Sequence, residues 1–539
     1  MSPALGFALG AALWLAPAPV LPVPSRSGPE GPPRPFGLQP RIGPLPPATS
    51  DGTVREQDRA LLRGPFPEGG LVRGISDGVL LDEHAAIRQA ALGLVGETGA
   101  RVVRIPISWN EVAPADVPAG FQARDPSSPV YRFALFDASV RSAVAAGLTP
   151  MLVVSHAPAY AEAPGRWPYA YPGSWAPSPA ALEDFASALA RRYDGTFPDP
   201  AEPGRALPAV HLFQAWNEPN LARYLEPQWV ARDGHWQAYS PLLYRQILNA
   251  FYAGVKSVQP GATVVAAGVA PSGERAGVGR VAPVTFLRTL LCLEADGART
   301  RAGCAQPPHF DALSFHPLSV GDPDLPASSS LDVSIADAGK VSRLLREAIG
   351  AHTALPGGAK QLWVTELNWE SAPQAPDGVP PALQAGWVSR ALHRLWIAGV
   401  DFVDWEFLVD PLHGVLATTP TGGTFEYQRP AGLYYAPSDG DPASALPKPF
   451  LQGFAFPFDP LRVDPRHVRA WALARGPDGP LVLERAVGAR GWRDVARLRA
   501  GPAGVLNALV ALRVAVRLRL ASGSLRSAEA GVPASGSGL

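Results

Sequence analysis

The sequence predicts an α/β protein: a (β/α)8 TIM barrel followed by a small antiparallel β domain. Short apolar runs alternate with amphipathic helical segments, and eight such runs can be counted, which favours a closed parallel barrel. Beyond about residue 460, apolar and polar residues alternate with period two, as in strands exposed on one face. An open doubly wound sheet is the alternative. It would need a glycine-rich phosphate loop after the first strand, and residues 74–78, Gly-Ile-Ser-Asp-Gly, are a poor one.

The eight predicted strands are apolar runs that end at polar residues, glycine or proline. They cover residues 71–76, 102–108, 151–155, 210–216, 263–268, 310–316, 361–368 and 402–407. Gly99 is expected to end the first helix, and the pairs Ser178-Pro179 and Ser240-Pro241 to begin helices with a serine N-cap and proline at the first helical position. Residues 447–454 should form the closing helix.

The N-terminal region predicts export. Residues 4–16 form an apolar run with the length of a signal-peptide core, too short to span a bilayer comfortably, and a Pro-, Gly- and Ser-rich stretch follows. We expect a signal peptide over 1–27, a Pro-rich linker over 28–62, the barrel over 63–460, a β-sandwich-like domain over 461–527 and a flexible tail over 528–539. The protein is expected to be secreted or at the cell surface, without stable membrane insertion.

The charge balance limits the classes of partner that the sequence predicts, and the cysteines allow a disulfide. The 539 residues include 47 basic and 47 acidic side chains, so the net charge gives no indication of a nucleic acid or an acidic membrane surface as partner. The arginine-rich alternation near the C-terminus is typical of a solvated sheet face, with carbohydrate binding as the alternative. Cys292 and Cys304 are the two cysteines, and both a disulfide and two free thiols fit their spacing.

Two predicted strands end on a glutamate. One runs into Trp216-Asn217-Glu218-Pro219-Asn220 and the other into Val364-Thr365-Glu366. Parallel strands of a barrel bring their C-terminal ends to one face, where catalytic groups lie. Two carboxylates facing one pocket suggest glycoside chemistry, in which a retaining enzyme places them about 5–5.5 Å apart.

These two motifs resemble the acid/base and nucleophile motifs of clan A glycoside hydrolases, especially families 39 and 5, over residues 71–454. The resemblance implies a retaining hydrolase acting on the O-glycosidic bonds of a β-linked oligosaccharide, polysaccharide or glycoside, without a cofactor. Glu218 would be the general acid/base and Glu366 the nucleophile. Transglycosylation by the same site is a further possibility that the sequence does not separate from hydrolysis.

The same resemblance implies five substrate-binding positions. Asn217 would hydrogen-bond the sugar 2-hydroxyl, and Arg104 would keep the nucleophile ionised, although a simple salt bridge is the alternative for Arg104. His156 and His316 would be pocket histidines. Trp405 would form a platform under the sugar.

One departure from the clan pattern leaves a rival hypothesis open. The clan usually places a tyrosine two residues after the strand-six histidine, but this chain reads His316-Pro317-Leu318. The tyrosine's role is therefore either lost or supplied from elsewhere. If it is lost, the chain is a catalytically inert sugar-binding or cell-surface protein on a glycosidase barrel.

Several other polar residues are expected to be structural. They are Glu111, in a second Trp-Asn-Glu that follows strand two, and Glu370, Glu406 and His211. The aromatic loop 160–175 suits either sugar rings or lid packing. No His, Cys or Asp cluster shows metal-ligand spacing, so we expect neither a metal nor a cofactor.

Overall fold

A computed structural model describes residues 61–62 and 66–533, except 297–298, 303, 320, 376–377, 412–414, 419–423, 428–429, 476–479 and 490. The predicted signal peptide, and the predicted linker apart from residues 61–62, lie outside the described residues. None of the described helices has the length and apolarity that a membrane-spanning helix needs.

Eight parallel strands close into a barrel, which confirms the predicted (β/α)8 fold. Around the barrel each strand pairs with its sequence neighbours, and β8 closes the ring against β1. The strands are β1 Val72–Ser76, β2 Val102–Ser108, β3 Thr149–Ser155, β4 Leu212–Ala215, β5 Thr263–Val269, β6 Ala312–Phe315, β7 Gln361–Leu367 and β8 Phe402–Glu406.

Helices cover the outside of the barrel and bury their apolar faces against it. They are α1 Ala85–Thr98, α2 Ala134–Ala145, α3 Pro179–Arg192, α4 Ser240–Val258, α5 Pro283–Leu290, α6 Ala338–Gly350, α7 Pro381–Ile397 and α8 Leu451–Ala455. Shorter helical segments are Gly78–Leu81, Trp109–Val112, Ala159–Ala161, Ile335–Asp337 and Pro442–Ser444. Loops also carry three antiparallel ribbons, Trp229–Arg232 with His235–Ala238, Leu293–Asp296 with Arg299–Ala302, and Val415–Thr418 with Thr424–Tyr427.

Of the three predicted helix boundaries, at Gly99, Ser178 and Ser240, the first two are confirmed. Gly99 follows α1 with φ of 75°, a left-handed conformation that glycine adopts without steric cost. The Ser178 hydroxyl caps α3 by accepting from the Ala181 amide. The predicted cap at Ser240 is wrong, because this serine lies inside the first turn of α4 and its hydroxyl donates to Gln228 instead.

The inside of the barrel is layered. Its lower layer is apolar and consists of Val102, Met151, Leu212, Val265, Ala312, Trp363 and Phe402. Side chains alternate across a strand, so the next inward residues lie two positions further on. In β2, β4 and β8 these residues are Arg104, Gln214 and Asp404. The barrel therefore changes from apolar to polar towards the C-terminal ends of its strands.

The C-terminal region forms two antiparallel sheets around a second apolar core. One contains β9 Phe458–Asp464, β10 His467–Leu473 and β13 Val505–Ala511; the other contains β11 Leu481–Val487, β12 Gly491–Leu498, β14 Val516–Ser522, β15 Leu525–Arg526 and β16 Ala530–Val532. Strand β16 pairs with β14, which corrects the expectation of a flexible tail from residue 528. Residues 534–539 lie outside the described part.

Cys292 and Cys304 form a disulfide, which settles the pairing that the sequence left open.

Candidate active site

The exit of β4 is sharply bent and carries Glu218. Trp216 has φ of 70° and Glu218 has φ of 38°, both in the left-handed region that residues with a Cβ seldom adopt. Two hydrogen bonds hold the bend: the Glu218 amide donates to the Gly268 carbonyl at 3.1 Å, and the Trp216 indole donates to the Tyr224 carbonyl at 2.7 Å. The bend keeps Glu218 buried at the mouth of the barrel, with 7% of its surface exposed.

His316, directly after β6, joins the two predicted catalytic glutamates. Its Nδ1 lies 3.0 Å from Glu218 Oε1 and 3.3 Å from Glu366 Oε2, and its Nε2 lies 3.0 Å from the Thr365 hydroxyl. With both carboxylates ionised, Nδ1 must carry the proton, because carboxylate oxygens only accept. A Cβ on Gly268 would come within 2.9 Å of His316 Nε2, so a glycine at this position leaves room for the ring.

Arg104 on β2 forms an ion pair with Glu366 and also reaches the β4 side. Its guanidinium contacts Glu366 Oε1 at 3.0 Å, donates to Asn217 Oδ1 at 2.7 Å and donates to Gln214 Oε1 at 3.3 Å. Arg104 is 5% exposed, so water screens these contacts poorly. The guanidinium is a charge-assisted donor that fixes the Glu366 carboxylate in one orientation.

The two carboxyl groups are close enough for joint chemistry on one substrate atom. A carboxylate oxygen of Glu218, one of Glu366 and a ring nitrogen of His316 lie within 4.8 Å of one another. Oxygens this close allow both carboxyl groups to face the same bond of one substrate.

The same three residues also have the geometry of metal ligands, which their positions in the sequence did not reveal. A divalent cation at this position would face the Arg104 guanidinium, 3.0 Å from Glu366. Repulsion between the two cations disfavours a metal at this site.

Asn217 and His156 also lie at this mouth. Because the Asn217 carbonyl oxygen accepts from Arg104, its amide group is oriented to donate elsewhere. His156 follows β3, and its Nδ1 forms a hydrogen bond of 2.9 Å with the Ser155 hydroxyl. Burial, assisted by the positive charge of Arg223, lowers the pKa of His156 to about 4, so its ring is neutral at physiological pH.

Tyr224 belongs to the site although the sequence analysis did not identify it. Its ring packs on His156 with 5.1 Å between ring centroids. Burial raises the pKa of the Tyr224 phenol, the charges of Glu218 and Glu366 raise it further, and a hydrogen bond with Asn217 opposes the shift. The hydroxyl is therefore a neutral donor beside both carboxylates. Tyr224 lies in the loop after β4, whereas the clan tyrosine follows strand six.

The prediction that Trp405 forms a platform under the sugar is wrong. Trp405 is fully buried on the outer side of the barrel wall, packs against Phe450 and Phe454, and donates its indole N–H to the Ala431 carbonyl. Alternation along β8 explains its direction, since its neighbours Asp404 and Glu406 take the inner side.

Those two inward residues of β8 lie near the catalytic pair. Burial, against the opposing effect of Arg104, raises the pKa of Asp404 well above its ordinary value and so favours its protonated form. Glu406 accepts a hydrogen bond from the Asn368 amide at 2.6 Å. Sequence analysis treated Glu406 as structural, but its inward position places it at the mouth of the barrel.

The remaining candidates lie outside the catalytic cluster. Glu111 is exposed on the short helix after β2, and His211 contacts Gln259 at the opposite end of β4. The aromatic loop divides into packing and exposed parts: Trp175 is buried against Trp167, whereas Tyr169 is 73% exposed.

No protein-family model matches the sequence, and no curated protein matches it. Solved structures with a similar fold include a family 39 glycoside hydrolase from the gut symbiont Bacteroides cellulosilyticus WH2, with 18% identity and a TM-score of 0.47, covering 83% of this chain and 81% of that one. A family 39 β-xylosidase from Caulobacter crescentus has 16% identity and a TM-score of 0.43, with 79% and 84% covered. A glucosidase from Croceicoccus marinus has 13% identity and a TM-score of 0.46, with 83% and 94% covered. At this distance, similarity does not establish an activity for the chain.

Proposed function

We propose that this chain is a retaining glycoside hydrolase that cleaves β-linked glycans or glycosides by double displacement. The observation that carries the proposal is the pair of buried carboxyl groups with oxygens within 4.8 Å, one held by a guanidinium and the other by an imidazole. In such a reaction one carboxylic acid protonates the leaving oxygen while the other carboxylate attacks the sugar carbon.

The two environments support different roles for the two glutamates. Glu366 contacts the Arg104 guanidinium at 3.0 Å, a charge-assisted contact that orients the carboxylate for attack. Glu218 contacts Nδ1 of the His316 imidazole at 3.0 Å, a group that can donate or accept a hydrogen bond. Asn217 is oriented by Arg104 and would donate to the sugar 2-hydroxyl, an interaction that strengthens in the transition state.

We also propose that the protein is secreted or located at the cell surface. The apolar run at residues 4–16 supports export, and the disulfide between Cys292 and Cys304 fits an oxidising compartment. Comparing the N-terminal sequence and the mass of the protein from culture medium and from cells would test this, and full-length protein confined to the cytoplasm would contradict it.

The mechanism is tested by trapping the covalent intermediate. The protein is incubated with 2-deoxy-2-fluoro β-glycosides that carry good leaving groups, and the intact mass and a peptide digest are measured. We expect one added sugar on the peptide that contains Glu366, and no adduct and no turnover in Glu366→Ala. A wild-type protein that binds glycans without an adduct or hydrolysis would instead support the inert sugar-binding alternative. An adduct on another residue would reassign the nucleophile.

A further inference from the structure

The C-terminal β domain has a charge opposite to that of the rest of the chain. Residues 461–533 contain 13 arginines, no lysine and five carboxylates, a formal excess of eight positive charges. Since the whole chain balances 47 basic against 47 acidic residues, the remainder carries an excess of eight negative charges. Such asymmetry between two regions indicates a charged partner for one of them.

Part of this charge lies on the edge strand of the five-stranded sheet. Arg497 and Arg499, in and just after β12, are exposed and alternate with Ala496 and Leu498, which pack on the domain core. Both arginines therefore point away from the core. Within the described part of the chain, neither has a carboxylate at ion-pairing distance, so their charges are available to a ligand.

Strand β14, which is separated from β12 by β11, adds two more arginines on the same outer face. Arg517 and Arg519 alternate with Leu518 and Leu520, which are fully buried. The Arg519 guanidinium lies 4.0 Å from the ring centroid of Trp492 on β12, and that of Arg517 lies 6.0 Å from it. Two acidic residues, Glu484 and Glu529, pair with these arginines, at 2.6 Å and 2.7 Å, and the exposed Asp494 on β12 lies in register with Glu484.

We infer that this arginine face, formed by Trp492, Arg497, Arg499, Arg517 and Arg519, binds an acidic glycan whose sugars carry carboxylate or sulfate groups. The guanidinium fork binds such planar or multi-oxygen anions through two hydrogen bonds at once, and an aromatic ring beside it suits the apolar face of a sugar. The choice of a glycan, rather than a nucleic acid or a lipid headgroup, rests on the proposed function of the barrel. The face would then hold an acidic polysaccharide beside the enzyme that cleaves it.

Affinity electrophoresis of the full chain tests the inference. Native gels contain either polygalacturonate or neutral dextran, at salt concentrations of about 0.05 M and about 0.5 M. We expect retardation by polygalacturonate at low salt, its loss at high salt because screening shortens the range of the charges, and none by dextran. The variant Arg497→Glu/Arg499→Glu should weaken the retardation about tenfold or more, and Arg497→Gln/Arg499→Gln should weaken it in the same direction.

The control is Arg343→Glu/Arg346→Glu, which makes the same charge change on exposed positions of α6. It should bind polygalacturonate like the wild type, and equal weakening in both variants would overturn the arginine face as the site. No retardation, or equal retardation by dextran, would overturn it as well. Tighter binding to duplex DNA or to anionic lipid vesicles under the same salt would overturn the glycan as the ligand. Retardation by polygalacturonate without a fluorosugar adduct would support the arginine face and refute the proposed hydrolase. An adduct without retardation would refute the arginine face alone.

Discussion

The exits of β4 and β7 each present one buried glutamate to the same pocket, but they hold it in different ways. At β7 the glutamate lies inside the strand, where the pairing with β8 shifts register between Val364 and Leu367, and Glu366 meets Arg104 at 3.0 Å. At β4 the chain bends through two residues with positive φ, and Glu218 meets His316 at 3.0 Å. Both glutamates contact His316, and Glu366 has the Arg104 guanidinium as a further partner.

In the proposed hydrolase, these surroundings would suit two like carboxyl groups to different roles in one pocket. A fixed cation favours a carboxylate throughout a reaction cycle, whereas a carboxyl group that must give and take a proton needs surroundings that accept both forms. Around the exit of β4, the Tyr224 phenol and the His156 ring that follows β3 are neutral, and burial raises the pKa of Glu226 in the β4 loop to about 7.

The largest expected effect separates the two glutamates by leaving group. Glu218→Ala should lower kcat/KM about 1,000-fold for unactivated alkyl glycosides, because no acid protonates the departing oxygen. Dinitrophenyl glycosides have a leaving group that needs no acid. The rate at which they form the glycosyl-enzyme should therefore stay near that of the wild type. Steady-state and burst kinetics on both substrates measure this, with Glu111→Ala as the control from the second Trp-Asn-Glu. Equal losses on both substrates would remove Glu218 from the acid role.

The fixed charge on the β7 side is tested by Arg104→Met. This change leaves Glu366 buried without its cation, so we expect a loss of about 3 kcal/mol in unfolding free energy and about 100-fold in kcat/KM. Urea denaturation and kinetics measure the two effects. Arg124→Met removes a more exposed ion pair with Glu183 and should cost less than about 1 kcal/mol. Equal losses of unfolding free energy in the two variants would show that the buried ion pair stabilises the fold no more than the exposed one.

A smaller effect is expected from Tyr224→Phe on the β4 side. The ring contact with His156 is retained, so the melting temperature should not change, but loss of the hydroxyl should lower kcat about tenfold with little change in KM. The exposed Tyr169 provides the control, since Tyr169→Phe should behave like the wild type. A Tyr224→Phe variant with unchanged kcat would mean that the phenol does not act on the catalytic pair.

The smallest effect is a pH dependence of stability from the β4 loop. Burial raises the pKa of Glu226 from 4.5 to about 7, against a hydrogen bond from the Gln228 amide. Its contribution to stability is therefore fully present below about pH 4.5 and is lost as the pH rises through about 7.

Glu226→Gln keeps a neutral side chain at every pH. It should match the wild type at pH 4.5 and exceed it by about 1 kcal/mol at pH 8, a value reduced for partial solvent screening. Urea denaturation at both pH values measures this, and the exposed control Glu111→Gln should show no such difference. An equal gain at both pH values would point to packing instead of titration.

The sequence predicted that Glu218 and Glu366 face one pocket, because both glutamates directly follow short apolar runs and strand ends in a barrel share one face. Arg104 was predicted from the family resemblance, as the arginine at the end of strand two. Trp405 was misplaced because matching it to a family position by strand number ignores which side of the strand it occupies. Phe402 and Asp404 on the inner side leave the outer side to Trp405.

The loop after β4 could not be predicted in the same way. Tyr224 and Glu226 lie in irregular chain, where no periodicity indicates the direction of a side chain. Their positions depend on hydrogen bonds between loops, such as those joining Glu226 to Ser174 and Ala176. Such pairing follows from the folded barrel and is not visible in local sequence.

The positive φ angles at His156, Trp216 and Glu218 show that the pocket is built on strained backbone. Each such residue lowers the stability of the fold by about 1–2 kcal/mol relative to one that adopts this conformation freely. Replacement of Glu218 by glycine or asparagine should therefore give a more heat-resistant protein without catalysis. In the proposed hydrolase, selection for thermal endurance alone would remove the bend and Glu218, whereas selection for turnover would maintain them.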